Sequence, residues 1–161
     1  MSWCSRPARS AAKCSGSPRP AGQLRVAHGK SGNVMSSGNG TKSFKLMIVD
    51  DSNIMRRRIE RSNQFDELEL VGTASNGLEA LEMFKKMDPD VVTMDLTMPQ
   101  MDGIECISKL VVLKPAVRIL VISALADKAT AVEAMEKGAN GFLNKPFTDR
   151  QLNEAIADLM R

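Results

Sequence analysis

Apolar residues in this chain fall into short blocks separated by polar turns, and the blocks alternate between two periods. Lys45–Val49, Val91–Met94 and Arg118–Ile122 are compact apolar runs with the length of buried strands. Leu68–Ala74 reads as another strand and Gly141–Leu143 as a short fifth one. Between them the period lengthens. Ile54, Met55 and Ile59 recur at roughly helical spacing through about Gln64. After the Asn76-Gly77 turn, Leu78, Leu81 and Phe84, with Ala80 and Met83 beside them, predict the apolar stripe of a helix that Pro89 breaks. A loop over Leu96–Asp102 leads to a helix from about Gly103 to Leu113, stopped by Pro115. Asp127 is a good N-cap for a helix carrying Ala131, Val132 and Met135 and closed by Gly138. Thr148 caps a last helix reaching Met160.

The pattern is strand–helix repeated five times. Ile119-Leu120-Val121-Ile122 is apolar on both faces, which implies a parallel sheet covered by helices on each side. Right-handed crossovers make that an open, doubly wound α/β sheet of five strands. The flavodoxin-like order 2-1-3-4-5 is adopted from that class of (βα)5 folds rather than read from the residues. It puts the binding crevice at the carboxyl ends of strands 1 and 3.

Composition changes this picture at one end of the chain. Residues 1–40 are rich in Ser, Gly, Pro, Ala and Arg and hold six basic residues and no acidic one. Such a segment buries too little apolar surface to offset its ordering entropy, so residues 1–41 are expected to form a disordered basic leader and 42–161 the folded domain. Three readings of the leader stand: a tail that touches acidic partners, an acid-free transit peptide, or an over-long reading frame whose true start is near Met35. The last is preferred. Outside 1–40 there remain 16 basic and 19 acidic residues, a net of −3 against +3 for the whole chain, so nucleic acid is not an expected partner. No run of about 18 apolar residues occurs, and no membrane span is expected. Cys4, Cys14 and Cys106 are odd in number and lack CxxC spacing, which argues for reduced thiols in a cytoplasmic protein.

Candidate chemistry gathers at the strand ends. Asp50 and Asp51 end the first strand, Asp95 the third and Ser123 the fourth, while Lys145 follows the fifth. An Asp-Asp pair alone is as readily a helix cap or a solvated turn. With strands 1 and 3 as neighbours only about 4.8 Å apart, three carboxylates repel one another and call for a cation. A hard, oxygen-preferring divalent ion such as Mg²⁺ answers that need. Lys145, held before Pro146, would present a compact positive charge to a phosphoryl group, and Ser123 could donate a hydroxyl hydrogen bond. Read alone, the serine is a turn residue and the lysine a solvated one.

Together, Ile48-Val49-Asp50-Asp51-Ser52, Met94-Asp95-Leu96-Thr97-Met98-Pro99-Gln100-Met101-Asp102-Gly103, Ile122-Ser123-Ala124 and Asn144-Lys145-Pro146-Phe147-Thr148 resemble the landmarks of response-regulator receiver domains. The likeness is greatest to the single-domain chemotaxis (CheY) type and spans about residues 44–161. It implies that Asp95 accepts a phosphoryl group from a histidine kinase. It implies Mg²⁺ on Asp51, Asp95 and the backbone carbonyl of Thr97, with Asp50 acting through water. It implies that Lys145 contacts the phosphoryl group, that Ser123 swings to bond it, and that the Lys145–Pro146 peptide is cis. Phe142 stands where the family carries a switch aromatic, often Tyr, and reads equally as a buried strand residue or a mobile reporter. Arg56, Arg57 and Arg58 read either as a solvated helix face or as a docking face for the kinase.

The resulting expectation is a monomeric single-domain response regulator, a phosphoacceptor rather than an enzyme, with no effector domain after the last helix. Its output would be a partner protein: a flagellar switch component, or alternatively a histidine-phosphotransfer protein in a phosphorelay. An Asp-nucleophile phosphohydrolase is a rival reading, but no insertion for a substrate cap is visible. A flavin- or nucleotide-binding module is another, and no Gly-rich phosphate loop follows the first strand.

Overall fold

The computed structural model describes residues 43–125 and 127–161. The expected leader over 1–41, with Met35 and two of the three cysteines, lies outside the described residues. Five strands, β1 (Phe44–Val49), β2 (Leu68–Ala74), β3 (Val91–Met94), β4 (Arg118–Ser123) and β5 (Gly141–Asn144), alternate with helices α1 (Asn53–Ser62), α2 (Gly77–Met87), α3 (Gly103–Leu113), α4 (Lys128–Glu136) and α5 (Asp149–Met160). All neighbouring strands pair parallel, in the order β2-β1-β3-β4-β5. This is the doubly wound α/β sheet expected.

Alternation along the strands builds two cores. Met47, Val49, Val92, Met94, Ile119 and Val121 face α2, α3 and α4, where they meet Ala80, Phe84, Cys106, Ile107, Leu110 and Ala134. Leu46, Ile48, Leu120 and Ile122 point the other way, onto Ile59 of α1 and Leu152, Ile156 and Leu159 of α5. Each fully buried Leu, Ile or Met contributes about 1.5–3 kcal/mol, so these two layers carry the stability. All five helices start on a side-chain cap: Ser52, Asn76, Asp102, Asp127 and Thr148 each accept a backbone N–H from the first turn. A cap of this kind is worth about 1 kcal/mol. Thr148 and Gln151 complete a capping box.

The structure corrects the helical stripes at several positions. α1 stops at Ser62, not near Gln64, because the Asn63 side chain accepts the Phe65 N–H and donates to Leu68 O, turning the chain into β2. Ile54 is 80% exposed, and Leu78, Val132 and Met135 are also on the surface. On α4 only Ala134 is buried, so its apolar stripe faces away from the core. The Lys145–Pro146 peptide bond is cis, as the resemblance implies.

Candidate functional site

Strand register assembles the site. Val49 of β1 pairs with Met94 of β3, so Asp50 and Asp95, each one residue beyond, emerge side by side. The Asp95 N–H donates to Val49 O at 2.9 Å, and the Asp50 N–H to Ala74 O at 3.1 Å, which fixes both backbones to the sheet edge. On the other side Ser123 pairs with Asn144, and the Lys145 N–H donates to Ser123 O at 2.8 Å. Lys145 thus leaves the same edge, and its long stem reaches across. Its Nζ lies 2.7 Å from Asp50 Oδ2 and 3.4 Å from Asp95 Oδ2.

The carboxylates sit in unlike surroundings. Asp50 and Asp95 are buried, while Asp51 is exposed. One oxygen from each lies within 4.8 Å of the others. Asp50 also accepts the Ser52 N–H at 2.8 Å, and its carbonyl accepts Arg56 Nη1 at 2.5 Å. Asp95 accepts the Thr97 N–H at 3.4 Å. Burial pushes the Asp95 carboxyl above the usual carboxylate range, and neighbouring Asp50 pushes the same way. The Lys145 ammonium and the Thr97 N–H pull it down without prevailing. An all-oxygen cluster that is short of positive charge suits a hard divalent cation. Asp50, Asp51 and Asp95 are the residues that could hold one.

Of the residues singled out in the sequence, Asp50, Asp51, Asp95 and Lys145 come together. Thr97 is exposed directly above Asp95, joined to it through its N–H. Ser123 is fully buried at the same edge, and its Oγ accepts the Leu125 N–H at 3.1 Å in a local turn. Phe142 stands half-buried on β5, paired with Val121 and packed on the α2–α4 core. Two contributors escaped the sequence reading. Arg56 was read as a solvated helix face or a docking face for the kinase, yet it clasps the Asp50 carbonyl and the Asn53 side chain. Gly103 opens α3 so close to the site loop that a β-carbon there would lie 2.7 Å from Leu96 Cα and against the Asp95 carbonyl oxygen. A glycine directly after a capping Asp was the available signal.

The family model described as response regulator receiver domain matches residues 46–157. The chain belongs to the response regulator receiver domain family. It is 38% identical over 113 residues to the chemotaxis protein CheY of Listeria monocytogenes, covering 70% of this chain and 95% of that protein. It is 44% identical over 125 residues to protein-glutamate methylesterase/protein-glutamine glutaminase 2 of Photobacterium profundum, covering 74% of this chain but only 31% of that protein. Among solved structures it resembles the CheX–CheY–BeF3–Mg²⁺ complex from Borrelia burgdorferi, with a TM-score of 0.70 and 30% identity over 73% of this chain and 90% of that chain. The fold and the family are therefore those of a CheY-like receiver. Among the described residues, no helix is long and apolar enough to cross a membrane.

Proposed function

We propose that this protein is a phosphoacceptor switch of a two-component pathway, with Asp95 as the accepting carboxylate. The observation that carries the reading is the convergence of Asp50, Asp51 and Asp95 within 4.8 Å, with Lys145 Nζ against two of them. The donor would be the phosphohistidine of a histidine kinase. Transfer breaks its N–P bond and forms an O–P bond at an Asp95 oxygen, and the electron pair returns to the imidazole. Mg²⁺ held by Asp51, Asp95 and the Thr97 carbonyl, with Asp50 acting through water, would supply charge neutralisation for the phosphoryl oxygens.

The remaining roles fall to the chain's own side chains. Lys145, tethered to Asp50 and Asp95, is placed to follow the negative charge as it passes to the phosphoryl oxygens. The Ser123 hydroxyl would exchange its Leu125 partner for a phosphoryl oxygen, and Phe142, on the neighbouring strand, would reposition with it. That exchange biases an existing equilibrium in the face of α4, β5 and α5 toward a partner-binding form. For the donor, exposed Ile54 with Arg57, Arg58 and Arg61 offers an apolar and basic face beside α5. The reading includes a cytoplasmic setting and, by likeness to the CheY relatives, a chemotaxis role with a flagellar switch component or a phosphotransfer protein downstream.

The 44% identity to part of a methylesterase supports a second reading, in which this receiver regulates an effector in a larger protein. One experiment tests the chemistry common to both. Incubation with a small phosphodonor and Mg²⁺ should add one phosphoryl group by intact mass, and Asp95→Asn should abolish the gain. Equal labelling of that variant would remove Asp95 from the mechanism.

A further inference from the structure

Two exposed apolar surfaces remain outside the phosphoacceptor chemistry, and they differ in charge. The first is a groove of about 390 Å³ between α2 and α3, whose lining includes Leu81, Val112 and Leu113 with Lys85 and Lys109. Val112 is 81% exposed and Leu113 46%, so the groove wall presents apolar surface to solvent. No carboxylate lines the groove. Lys109 is paired with Glu105 on its own helix at 2.7 Å, and among the described residues no carboxylate pairs with Lys85. The second surface is the stripe of α4 that turns away from the core, formed by Ala131, Val132, Met135 and Glu136. It has the i, i+1, i+4, i+5 spacing of a helical ridge and a carboxylate within it, with the exposed Lys128 and Lys137 at the two ends of the helix.

We infer that the α4 ridge of one copy seats in the α2–α3 groove of a second copy. Val132 and Met135 enter between Leu81 and Val112, and Glu136 meets Lys85. A helix laid in a two-helix groove is a common recognition mode, and here an apolar patch that carries a carboxylate faces an apolar groove that carries a lysine with no carboxylate partner among the described residues. The leader is a poor occupant because it carries six basic residues and no acidic one, the wrong sign for a groove lined by lysines. The two surfaces belong to different helices, so the contact is head-to-tail and leaves a free ridge and a free groove on every pair. Association of this kind continues with concentration rather than stopping at a dimer. It also covers α4, so self-association and output binding would exclude one another.

The test uses the full chain, unphosphorylated, in sedimentation equilibrium over a wide concentration range. The average mass should rise steadily with concentration and fall when salt is raised. A groove variant, Val112→Asp with Lys85→Glu, and a ridge variant, Val132→Asp, should each weaken self-association roughly tenfold or more, since each sets a carboxylate into an apolar contact. Mixed in equal amounts, the two variants should form a one-to-one dimer and nothing larger, because one retains a ridge and the other a groove. All three substituted positions are exposed, so unchanged circular dichroism and melting are expected and are measured alongside. A wild-type chain that stays monomeric throughout would overturn the inference. So would a mixture that stays monomeric, the mark of a surface reserved for a different protein, or a groove variant that self-associates alone as the wild type does, the mark of a ridge-to-ridge contact. None of these outcomes depends on Asp95 accepting phosphate.

Discussion

Two lysines, each bridging two aspartates, occupy opposite ends of the same sheet. At the carboxyl ends of the strands, Lys145 Nζ lies 2.7 Å from Asp50 and 3.4 Å from Asp95. At the amino ends, Lys114 Nζ lies 3.1 Å from Asp88 and 3.0 Å from Asp90. The bridged pairs are alike in composition and unlike in burial. The carboxylate side chains are 1% and 5% exposed in the first cluster, and 72% and 38% in the second. The consequence is opposite in sign. Burial drives the Asp95 carboxyl above the usual range despite its lysine. At Asp90 burial also works against the charge, but the Lys114 ammonium and the Lys45 N–H outweigh it and hold the carboxyl below that range. Water lets the lower cluster act as an ordinary brace between α2, β3 and α3, whereas its exclusion leaves the upper one short of positive charge. A brace needs no visitor; a pocket short of positive charge suits a cation.

Removing each lysine breaks the comparison most sharply. Lys145→Met strands two buried carboxylates and should cost about 3 kcal/mol in the presence of a chelator. Lys114→Met removes a mostly exposed bridge and should cost about 1 kcal/mol or less from its charge pairs, plus what its bonds to the Asp88 and Pro89 carbonyls add. Mg²⁺ should then return part of the loss in the first variant and none in the second, because a ligand stabilises only the folded state it binds. Urea melts of both variants with chelator and with Mg²⁺ decide this. Equal losses, or rescue of the Lys114 variant, would mean that burial is not what separates the clusters.

How much of this was legible beforehand follows from what each feature depends on. Asp127 and Thr148 could be read as caps because a cap acts within its own turn. β3 and β4 were legible because both of their faces are buried, and a two-sided apolar run admits few other readings. Ile54, Val132 and Met135 follow the helical period yet lie on the surface, because periodicity reports which face is apolar, not what covers it. In the site, Asp50, Asp51 and Asp95 were legible from strand ends once the order was adopted. The Lys145–Asp50 contact spans 95 positions and depends on how far a flexible stem reaches, which no local pattern encodes. Arg56 was opaque for a related reason: it bonds a backbone carbonyl, and carbonyls leave no trace in sequence.

The upper cluster also depends on a close backbone approach. Gly103→Ala would place a β-carbon 2.7 Å from Leu96 Cα and against the Asp95 carbonyl oxygen, and neither atom can turn aside. The expected cost is about 1–3 kcal/mol, with slower phosphorylation as Asp95 shifts relative to Lys145. At Gly72, on the edge strand β2, the added methyl meets the Met83 side chain, which can move. Gly72→Ala should therefore be milder and leave the phosphorylation rate unchanged. A Gly103→Ala protein with wild-type melting and labelling would show that α3 can slide away from the site loop.

Paired carboxylate-to-amide changes give the smallest effects and the most direct comparison of signs. Asp95 has a raised folded-state pKa, so its contribution is full below the unfolded carboxylate pKa and is lost as pH rises through the folded value. Asp90 has a lowered one, so its contribution is present above the unfolded pKa and is lost as pH falls through the folded value. In chelator at neutral pH, Asp95→Asn should then stabilise the protein by roughly 0.5–2 kcal/mol, while Asp90→Asn should destabilise it by about 1 kcal/mol. On acidification both differences should shrink. The Asp95→Asn advantage fades as the wild-type carboxyl protonates, and the Asp90→Asn deficit fades at lower pH, as the Lys114 pairing is lost. Stability measured from neutral to acidic pH for the three proteins should thus give curves that converge from opposite sides, with Asp95→Asn converging first. Curves on the same side of wild type would mean that the upper lysine already satisfies its carboxylates, and that the pocket has no standing demand for a metal ion.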